Sequence, residues 1–226
     1  MSLVYAALMM LSSITVAKKE SIQIEFKGNC GLHLSDGDSD IYIDFPYKSG
    51  AFGYMEFDSS ELDQIKEDAI FIFTHKHADH YSKKNLKSVM KKKGGRAFGV
   101  SNISELEEVS SLVEEFEIRA FKTKHTFFGV PFRHYSYLIT WHGKRIFLSG
   151  DTTNPETIGE VKDIDWGFVP YWILLNAKEG NIAIDAERLG VYHLYPQQIP
   201  SAKEAWDEVD HIRPMVEQGE KIEIEF

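Results

Sequence analysis

Six consecutive residues, His75 to His80 (HKHADH), carry three imidazoles and one carboxylate. In an extended or looped backbone alternate side chains point the same way, so His75 and His77 can share one metal ion. Asp79 and His80 follow where the chain turns and can address a second point nearby. Neutral imidazole and carboxylate are ligands for Zn²⁺, Fe²⁺ or Mn²⁺. This spacing predicts a metal-binding loop rather than a set of surface histidines.

Further ligands must come from other parts of the chain, because a catalytic metal takes three or more protein ligands and keeps one position open for water. His125 stands at the end of a predicted strand, and His193 lies in a short apolar run (VYHL). Asp151 follows an apolar strand and a glycine, and a carboxylate behind a glycine can approach a metal closely. The other histidines are His33, His134, His142 and His211, and all of them except His134 are expected at the surface or in turns.

A buried strand must hold the His75–His80 loop. Ala69–Thr74 (AIFIFT) is a continuous apolar run, typical of a strand that is buried on both faces, and it ends directly at the loop. Ser82 is predicted to cap a helix that runs to Lys93, and Gly94-Gly95 is predicted to end it. The loop is therefore expected between a buried strand and a capped helix.

Hydrophobic periodicity predicts the remaining elements. Strands are predicted at Ser21–Phe26, Gly31–Leu34, Ile41–Asp44, Ala97–Val100, Glu117–Thr123, Tyr135–Thr140, Arg145–Ser149, Trp166–Pro170, Val191–Leu194 and, as an edge strand, Lys221–Phe226. Helices are predicted at Ser104–Ser111, Pro155–Gly159, Asp185–Leu189 and Lys203–Glu217, with a break at Pro214. Periodicity alone supports an α/β or α+β protein, and this order of elements suits two sheets with helices outside, a four-layer αββα sandwich of the α+β class.

Composition bounds the class of protein. Of the 226 residues 43% are hydrophobic, enough for one sizeable core, and no repeat or Pro/Gly/Ser-rich linker divides the chain, so residues 21–226 are predicted to form a single domain. The formal net charge of −10 argues against nucleic acid binding through bulk electrostatics. The single cysteine, Cys30, excludes an intramolecular disulfide and is expected to be a small buried side chain.

Residues 1–20 have a different character from the rest of the chain. Val4–Ala17 is apolar, but it is shorter than the roughly 20 residues of a membrane-spanning helix, so no stable membrane span is expected. It resembles the apolar and cleavage regions of a secretory signal, although the usual basic start is missing. Export or a periplasmic location is expected if it is a signal. The alternative is a buried or amphipathic first helix in a cytoplasmic protein.

The motifs occur in an order that resembles the metallo-β-lactamase superfamily. The HxHxDH loop is highly specific, and His125, Gly150-Asp151-Thr152 and His193 follow it in sequence. Ile41–Pro46 also resembles the early strand of that superfamily, which ends in Asp, and the likeness covers about residues 21–226. The resemblance implies two metal sites with seven ligands: His75, His77 and His125 at the first, Asp79, His80 and His193 at the second, and Asp151 bridging both.

The resemblance also implies a hydrolase. Two divalent metals, with zinc expected and iron or manganese as alternatives, would lower the pKa of a shared water and polarise the scissile oxygen. The expected reaction is hydrolysis of an ester, lactone, amide or phosphodiester bond in a small-molecule substrate, with Asp79 as a catalytic residue. Asp151 argues against a β-lactam substrate, because the true β-lactamases of the superfamily typically carry Cys at the bridging position.

Other residues are predicted around the metals. Asp44 is expected to orient a ligand histidine from behind, with a plain turn residue as the alternative. His134 is expected behind the ligands or facing substrate, or else as an ordinary strand residue. Tyr171, Trp172 and Tyr195 follow predicted strand ends and are expected to wall a pocket, with a simple core role as the alternative. Aromatic side chains at the mouth favour an apolar or ring-bearing substrate.

Two other functions remain open. An iron-dependent sulfur dioxygenase would share the HxHxDH loop, whereas the di-iron oxygen reductases of the superfamily usually carry Glu at the position of His77 and need a flavin module. A non-catalytic metal-binding protein is the third hypothesis, and the intact ligand set argues against it.

Overall fold

The computed structural model describes residues 20–127, 129–206 and 208–226. The apolar segment Val4–Ala17, with its predicted signal function, lies outside the described residues. Within the described ranges, no helix is long and apolar enough to cross a membrane.

The first sheet is mixed. Its strands are β1 (Ser21–Gly28), β2 (Gly31–Ser35), β3 (Asp40–Ile43), β4 (Ile70–Phe73), β5 (Arg96–Gly99) and β12 (Lys221–Glu225), in the order β12-β1-β2-β3-β4-β5. The pairs from β12 to β3 are antiparallel, and β3, β4 and β5 are parallel. The predicted edge strand at the end of the sequence is confirmed as β12.

The second sheet is also mixed. Its strands are β6 (Phe116–Phe127), β7 (Val130–Trp141), β8 (Lys144–Leu148), β9 (Ile164–Pro170), β10 (Ala186–Tyr192) and β11 (Ile212–Pro214), in the order β11-β10-β9-β8-β7-β6. The strands β6, β7 and β8 are antiparallel, and β8 to β11 are parallel. The helices are α1 (Glu61–Gln64), α2 (Lys83–Lys93), α3 (Pro155–Gly159), α4 (Tyr171–Glu179) and α5 (Ile199–Trp206), with short 3-10 helices at Ala51–Gly53, Ile103–Ser111 and Pro196–Gln198.

Three hydrophobic clusters show that the two sheets pack face to face with helices outside. Ile72 of β4 lies in the cluster between the sheets, whereas its neighbour Phe71 lies in a second cluster with Leu86 of α2. A third cluster joins Phe147 of β8 to Ile173 of α4. Alternate residues of a central strand thus point to opposite layers, as the pleat requires. The predicted αββα sandwich is confirmed.

The helix after the His75–His80 loop forms as predicted. The Ser82 side chain accepts a hydrogen bond from the backbone N–H of Asn85, 3.3 Å away, and Gly94 follows the last turn with a positive φ of 75°. A side-chain cap satisfies one of the free N–H groups of the first turn, and glycine adopts the left-handed conformation without a Cβ clash. The cap and the glycine set both ends of α2.

Two predicted helices are wrong. Asp185–Leu189 is not helical, because Ala186–Tyr192 pairs with β9 in a parallel ladder, and cross-strand pairing outweighs the polar local sequence. The predicted helix Lys203–Glu217 ends at Trp206, and Ile212–Pro214 forms the edge strand β11 instead. Proline is tolerated there because an edge strand leaves one row of N–H groups unpaired.

Candidate metal centre

The His75–His80 loop folds back on itself directly after β4. The backbone N–H groups of His80 and Tyr81 both donate to the carbonyl of His77, at 3.1 and 2.8 Å. This tight turn brings the imidazoles together, with the His75 ring 4.6 Å from that of His77 and 4.1 Å from that of His80. The three imidazoles of the loop therefore lie close enough together to be candidate ligands of a metal site.

The remaining candidates reach the same edge of the sandwich because their strands run in one direction. Asp151 follows β8 and His193 follows β10, and these strands are parallel members of the second sheet. His125 lies near the end of β6, which is antiparallel to β7 and therefore parallel to β8. The segments at the carboxyl ends of β4, β6, β8 and β10 therefore lie together at one edge of the sandwich.

A first group of side chains comprises His75, His77, His125 and Asp151, whose ligand atoms all lie within 4.8 Å of one another. Asp151 Oδ2 is 3.7 Å from His75 Nε2 and 4.0 Å from His125 Nε2. His125 Nε2 is 3.0 Å from His77 Nδ1. Three imidazole nitrogens and one carboxylate oxygen therefore face a common point.

A second group forms around the other oxygen of Asp151. Asp151 Oδ1 lies 2.9 Å from His80 Nε2 and 3.0 Å from His193 Nε2, and these two nitrogens are 3.1 Å apart. Asp79 Oδ2 is 3.3 Å from His193 Nε2. The two carboxylate oxygens of Asp151 therefore face two different sets of imidazoles.

Cys30 also belongs to this second group, and no motif around it indicated that position. It is fully buried, as predicted, and its Sγ lies 3.9 Å from Asp151 Oδ1. Burial, and then the charge of Asp151, raise the pKa of the Cys30 thiol well above its ordinary value. The thiol is therefore uncharged at neutral pH.

The donor set fits a divalent cation. His75 Nε2 and Asp79 Oδ1 are buried and have no hydrogen-bond partner among the described residues. A buried polar atom without a partner costs about 1–3 kcal/mol, and metal ions bound at these two atoms would remove that cost. Imidazole nitrogen and carboxylate oxygen are the ligands that zinc and iron take in proteins.

The charges of the first group of side chains agree with this chemistry, whereas in the second group the neighbouring carboxylates outweigh burial and raise the pKa of His80 and His193. Burial, and then the neighbouring His80, hold the pKa of His75 well below its ordinary value, so its ring is neutral and has a free lone pair. Burial by itself would raise the pKa of Asp151, but His193 and His80 outweigh it and hold that pKa well below the usual range. A neutral imidazole and an ionised carboxylate are the forms that bind metals.

Asp44 lies behind His80 and holds its ring. Its Oδ2 accepts a hydrogen bond from His80 Nδ1 at 2.8 Å and another from Thr74 Oγ1 at 2.7 Å, and its Oδ1 accepts from the Thr74 backbone N–H at 2.7 Å. Asp44 is fully buried. A carboxylate that holds Nδ1–H fixes the tautomer in which Nε2 presents its lone pair to the site.

His134 lies behind Asp151 and does not face the mouth of the site. Its Nε2 accepts a hydrogen bond from the backbone N–H of Asp151 at 3.0 Å, and its Nδ1 donates to Thr123 Oγ1 at 2.6 Å. Burial lowers the pKa of His134 to about 3, so the ring stays neutral and can accept that bond. Of the two predicted roles, the one behind the ligands agrees with this geometry.

The three predicted wall residues lie on the His193 side. The Trp172 ring is 5.4 Å from that of His193, and its Nε1 donates to the carbonyl of Thr152 at 2.9 Å. Tyr171 packs edge-on against Trp172, with ring centroids 5.4 Å apart. Tyr195 is 37% exposed. Trp172 and Tyr171 belong to α4, a helix that the sequence pattern did not predict.

Three further aromatic residues at the mouth were missed. Tyr54 stacks on Tyr195 with centroids 3.9 Å apart and packs edge-on to His193 at 4.3 Å. The rings of Phe52 and Phe132 lie 6.4 and 4.4 Å from that of His77. Phe132 could have been found, because strand alternation puts it on the same face as His134. Nothing local marks Phe52 or Tyr54.

Three histidines lie away from this centre. His142 in a turn and His211 at the surface agree with the prediction, whereas His33 lies half-buried in strand β2 and not at the surface or in a turn. His33 pairs with Asp40 on β2 and β3, with Nε2 2.7 Å from Oδ1. His142 lies in the β7–β8 turn between Asp36 and Glu115. His211 is exposed just before β11.

Comparisons with known proteins identify the fold. No family model matches the sequence, and no curated protein does. Among solved structures, the chain is similar to the metallo hydrolase Igni18 from the archaeon Ignicoccus hospitalis, with a TM-score of 0.65 and 19% identity over 91% of this chain and 99% of that one. The chain has a metallo-hydrolase fold.

Two other similar solved structures are named for different reactions, a hydrolysis and a hydroxylation. An isothiocyanate hydrolase from Delia radicum gut bacteria has a TM-score of 0.55 and 12% identity, over 90% of this chain and all of that one. CmlA, a diiron β-hydroxylase from Streptomyces venezuelae, has a TM-score of 0.57 and 11% identity, over 93% of this chain and 55% of that one. The metallo-hydrolase fold predicted from the superfamily resemblance is confirmed, and the reaction has to be argued from the site.

Proposed function

We propose that this protein is a hydrolase that binds two divalent metal ions, with zinc as the expected metal. It cleaves an ester, lactone, amide or phosphodiester bond of a small molecule. The position of Asp151 carries the proposal, because each of its carboxylate oxygens faces a separate group of imidazoles. A structural zinc site needs only one closed set of four ligands. A carboxylate shared between two sets of ligands is the arrangement of a pair of catalytic metal ions.

Each of the seven predicted ligands has a position in this proposal. The first ion would be held by His75, His77 and His125, the second by Asp79, His80 and His193, and Asp151 would join both. Two such ions supply a water of lowered pKa and polarise the scissile oxygen.

The side chains of this protein provide the proton transfer and the positioning. Burial by itself would raise the pKa of Asp79, but His80 and His193 outweigh it and lower that pKa, so the carboxylate is ionised. It can accept a proton from water and return it to the leaving group. Asp44 and His134 hold His80 and the Asp151 backbone in place.

A panel of esters, lactones, amides and phosphodiesters tests the proposal on zinc-loaded protein. We expect hydrolysis of at least one class, loss of activity with a chelator and recovery with added zinc. Asp79→Ala should lower kcat by about a hundredfold or more. The control is Asp63→Ala, since Asp63 is exposed and distant in the fold on α1. If Asp79→Ala matched wild type on every substrate, the proposed catalysis at this site would be wrong.

Iron-based oxidation is the second candidate, because the same nitrogen and oxygen donors also suit iron and the fold resembles that of a diiron hydroxylase. Metal analysis of protein purified without added metal separates the two. Near-stoichiometric iron with no zinc would contradict the hydrolase.

A further inference from the structure

Five aromatic side chains surround the candidate metal centre, and we call them the aromatic rim: Phe52, Tyr54, Phe132, Trp172 and Tyr195. They come from four separate segments of the chain. Phe52 and Phe132 pack on the His77 ring, and Tyr54 and Trp172 pack on the His193 ring. Each group of candidate ligands is therefore flanked by aromatic surface.

The rim leaves much of this surface open to solvent. Phe52 is 52% exposed, Phe132 40% and Tyr195 37%. Single exposed apolar residues are common, but several that gather around one polar centre mark a binding site. Val130, at the tip of the β6–β7 hairpin and 56% exposed, extends the apolar surface beyond Phe132.

The backbone at Phe52 is held in a conformation that bulky residues rarely adopt. Phe52 has a φ of 55°, between Gly50 and Gly53 with φ of 68° and 81°. A left-handed conformation at a residue with a large side chain is strained, and such strain concentrates at ligand-binding segments. The loop accepts this strain and presents an exposed ring beside His77.

We propose that the aromatic rim binds an uncharged aromatic or alicyclic ring of the substrate, so that the scissile bond of a ring-bearing ester or lactone lies over the metal centre. This rests on the proposed hydrolase function. Phe52 and Phe132 offer only hydrocarbon and contact the ring, whereas Tyr54 and Tyr195 add hydroxyl groups that can hydrogen-bond the polar part. Aromatic faces are electron-rich and repel anions, so a phosphodiester fits the rim less well.

A matched pair of esters tests the inference. Ethyl phenylacetate and ethyl acetate share the alcohol and the carbonyl and differ by a phenyl ring, and ethyl cyclohexylacetate adds an alicyclic ring. On zinc-loaded wild type we expect kcat/KM to favour both ring-bearing esters over ethyl acetate by about tenfold or more. In Phe52→Ala and Phe132→Ala this ratio should fall toward one. The control variant is Leu112→Ala, since Leu112 is 46% exposed beside the 3-10 helix Ile103–Ser111 and outside the rim.

A binding measurement separates failure of this inference from failure of the proposed function. Benzyl methyl ketone resembles the ring-bearing ester but cannot be hydrolysed, and acetone is its ringless counterpart. Tighter calorimetric binding of the aromatic ketone to wild type, weakened in Phe52→Ala, supports the rim even if no substrate of the hydrolase panel is turned over. Equal binding of both ketones, or a ratio of ester rates that the two phenylalanine variants leave unchanged, overturns it. A wild-type dimer that the same variants dissociate also overturns it, because the rim would then bind a second copy of the chain.

Discussion

At the scale of single residues, the site depends on side chains that touch no substrate. Asp44 holds Nδ1 of His80, and His134 holds the backbone N–H of Asp151. Both are fully buried, and each fixes the orientation of one candidate ligand. A histidine ligand binds through one nitrogen only if a hydrogen bond keeps the proton on the other. These contacts therefore determine whether the ligands are ready for a metal.

Asp44→Asn should weaken metal binding without unfolding the protein. The amide that replaces the carboxylate oxygen would donate to His80 Nδ1, move the ring proton to Nε2 and block the lone pair that faces the site. We expect zinc affinity to fall about 10–100-fold, measured by competition with a chelator, while the melting temperature shows that the fold persists.

The control for this prediction is Asp40→Asn, because Asp40 makes a similar carboxylate–imidazole contact with His33 away from the metal centre. It should leave zinc affinity unchanged. Wild-type affinity in Asp44→Asn would show that the Asp44 contact does not set the tautomer.

At the scale of elements, some parts of the site can be predicted from the sequence and others cannot. The His75–His80 loop could be predicted because its ligands are adjacent in sequence and follow a buried strand. Asp151 could be proposed as a ligand because it follows an apolar strand and a glycine, and His193 because it lies in a short apolar run. Two of the five rim residues, Phe52 and Tyr54, could not be predicted, since they reach the centre only through the path of the β3–β4 connection. Likewise β11 forms by pairing with β10 at the edge of the second sheet, and α4 packs on β8 through Ile173. Local periodicity does not contain that information.

Gly150 connects β8 to the candidate metal ligand Asp151, and this position requires glycine for two reasons. Its φ is 59°, and a Cβ there would lie 2.5 Å from His134 Nε2 and 2.9 Å from Thr74 Cβ. Gly150→Ala should therefore lower the free energy of unfolding by about 1–3 kcal/mol, measured by denaturant titration.

Gly143→Ala separates the two reasons. Gly143 has a φ of 76°, but a Cβ there would meet nothing within 4 Å. This variant introduces backbone strain but no steric clash, so its free energy of unfolding should fall less than that of Gly150→Ala. Equal losses would mean that the contact of His134 with the Asp151 turn has room to adjust.

At the scale of the whole molecule, the two sheets are joined at the end of the sandwich that carries the β2–β3 and β7–β8 turns. His142 Nε2 in the β7–β8 turn lies 2.9 Å from Asp36 Oδ2 in the β2–β3 turn, and its Nδ1 lies 3.1 Å from Glu115 Oε2. The ring also stacks on that of Phe226, which follows β12, with centroids 4.1 Å apart. A single histidine thus links the first sheet, the second sheet and the end of the chain.

This link should make stability depend on pH. Partial burial would lower the pKa of His142, but the contacts with Asp36 and Glu115 outweigh it and raise that pKa above the ordinary 6.5. A raised folded-state pKa gives a stabilisation that is fully present below the unfolded-state pKa and is lost as pH rises through the folded-state value. The Asp36 pKa is lowered, because His142 and the backbone N–H groups of the turn outweigh its burial, so its contribution is lost as pH falls through its folded-state value. The link is therefore strongest in mildly acidic solution.

His142→Asn removes the titrating ring and keeps a residue that tolerates the positive φ of 48° in this turn. The variant should lose more unfolding free energy at about pH 5.5 than at about pH 8.5, with a difference under about 1 kcal/mol, since Glu115 is well exposed. Denaturant titrations at both pH values measure it, and His211→Asn is the control for replacing an exposed histidine. A loss that is the same at both pH values would show that stacking on Phe226, rather than charge, is what His142 contributes. In either case the effect arises in the turns between the sheets, so zinc affinity should stay at the wild-type value.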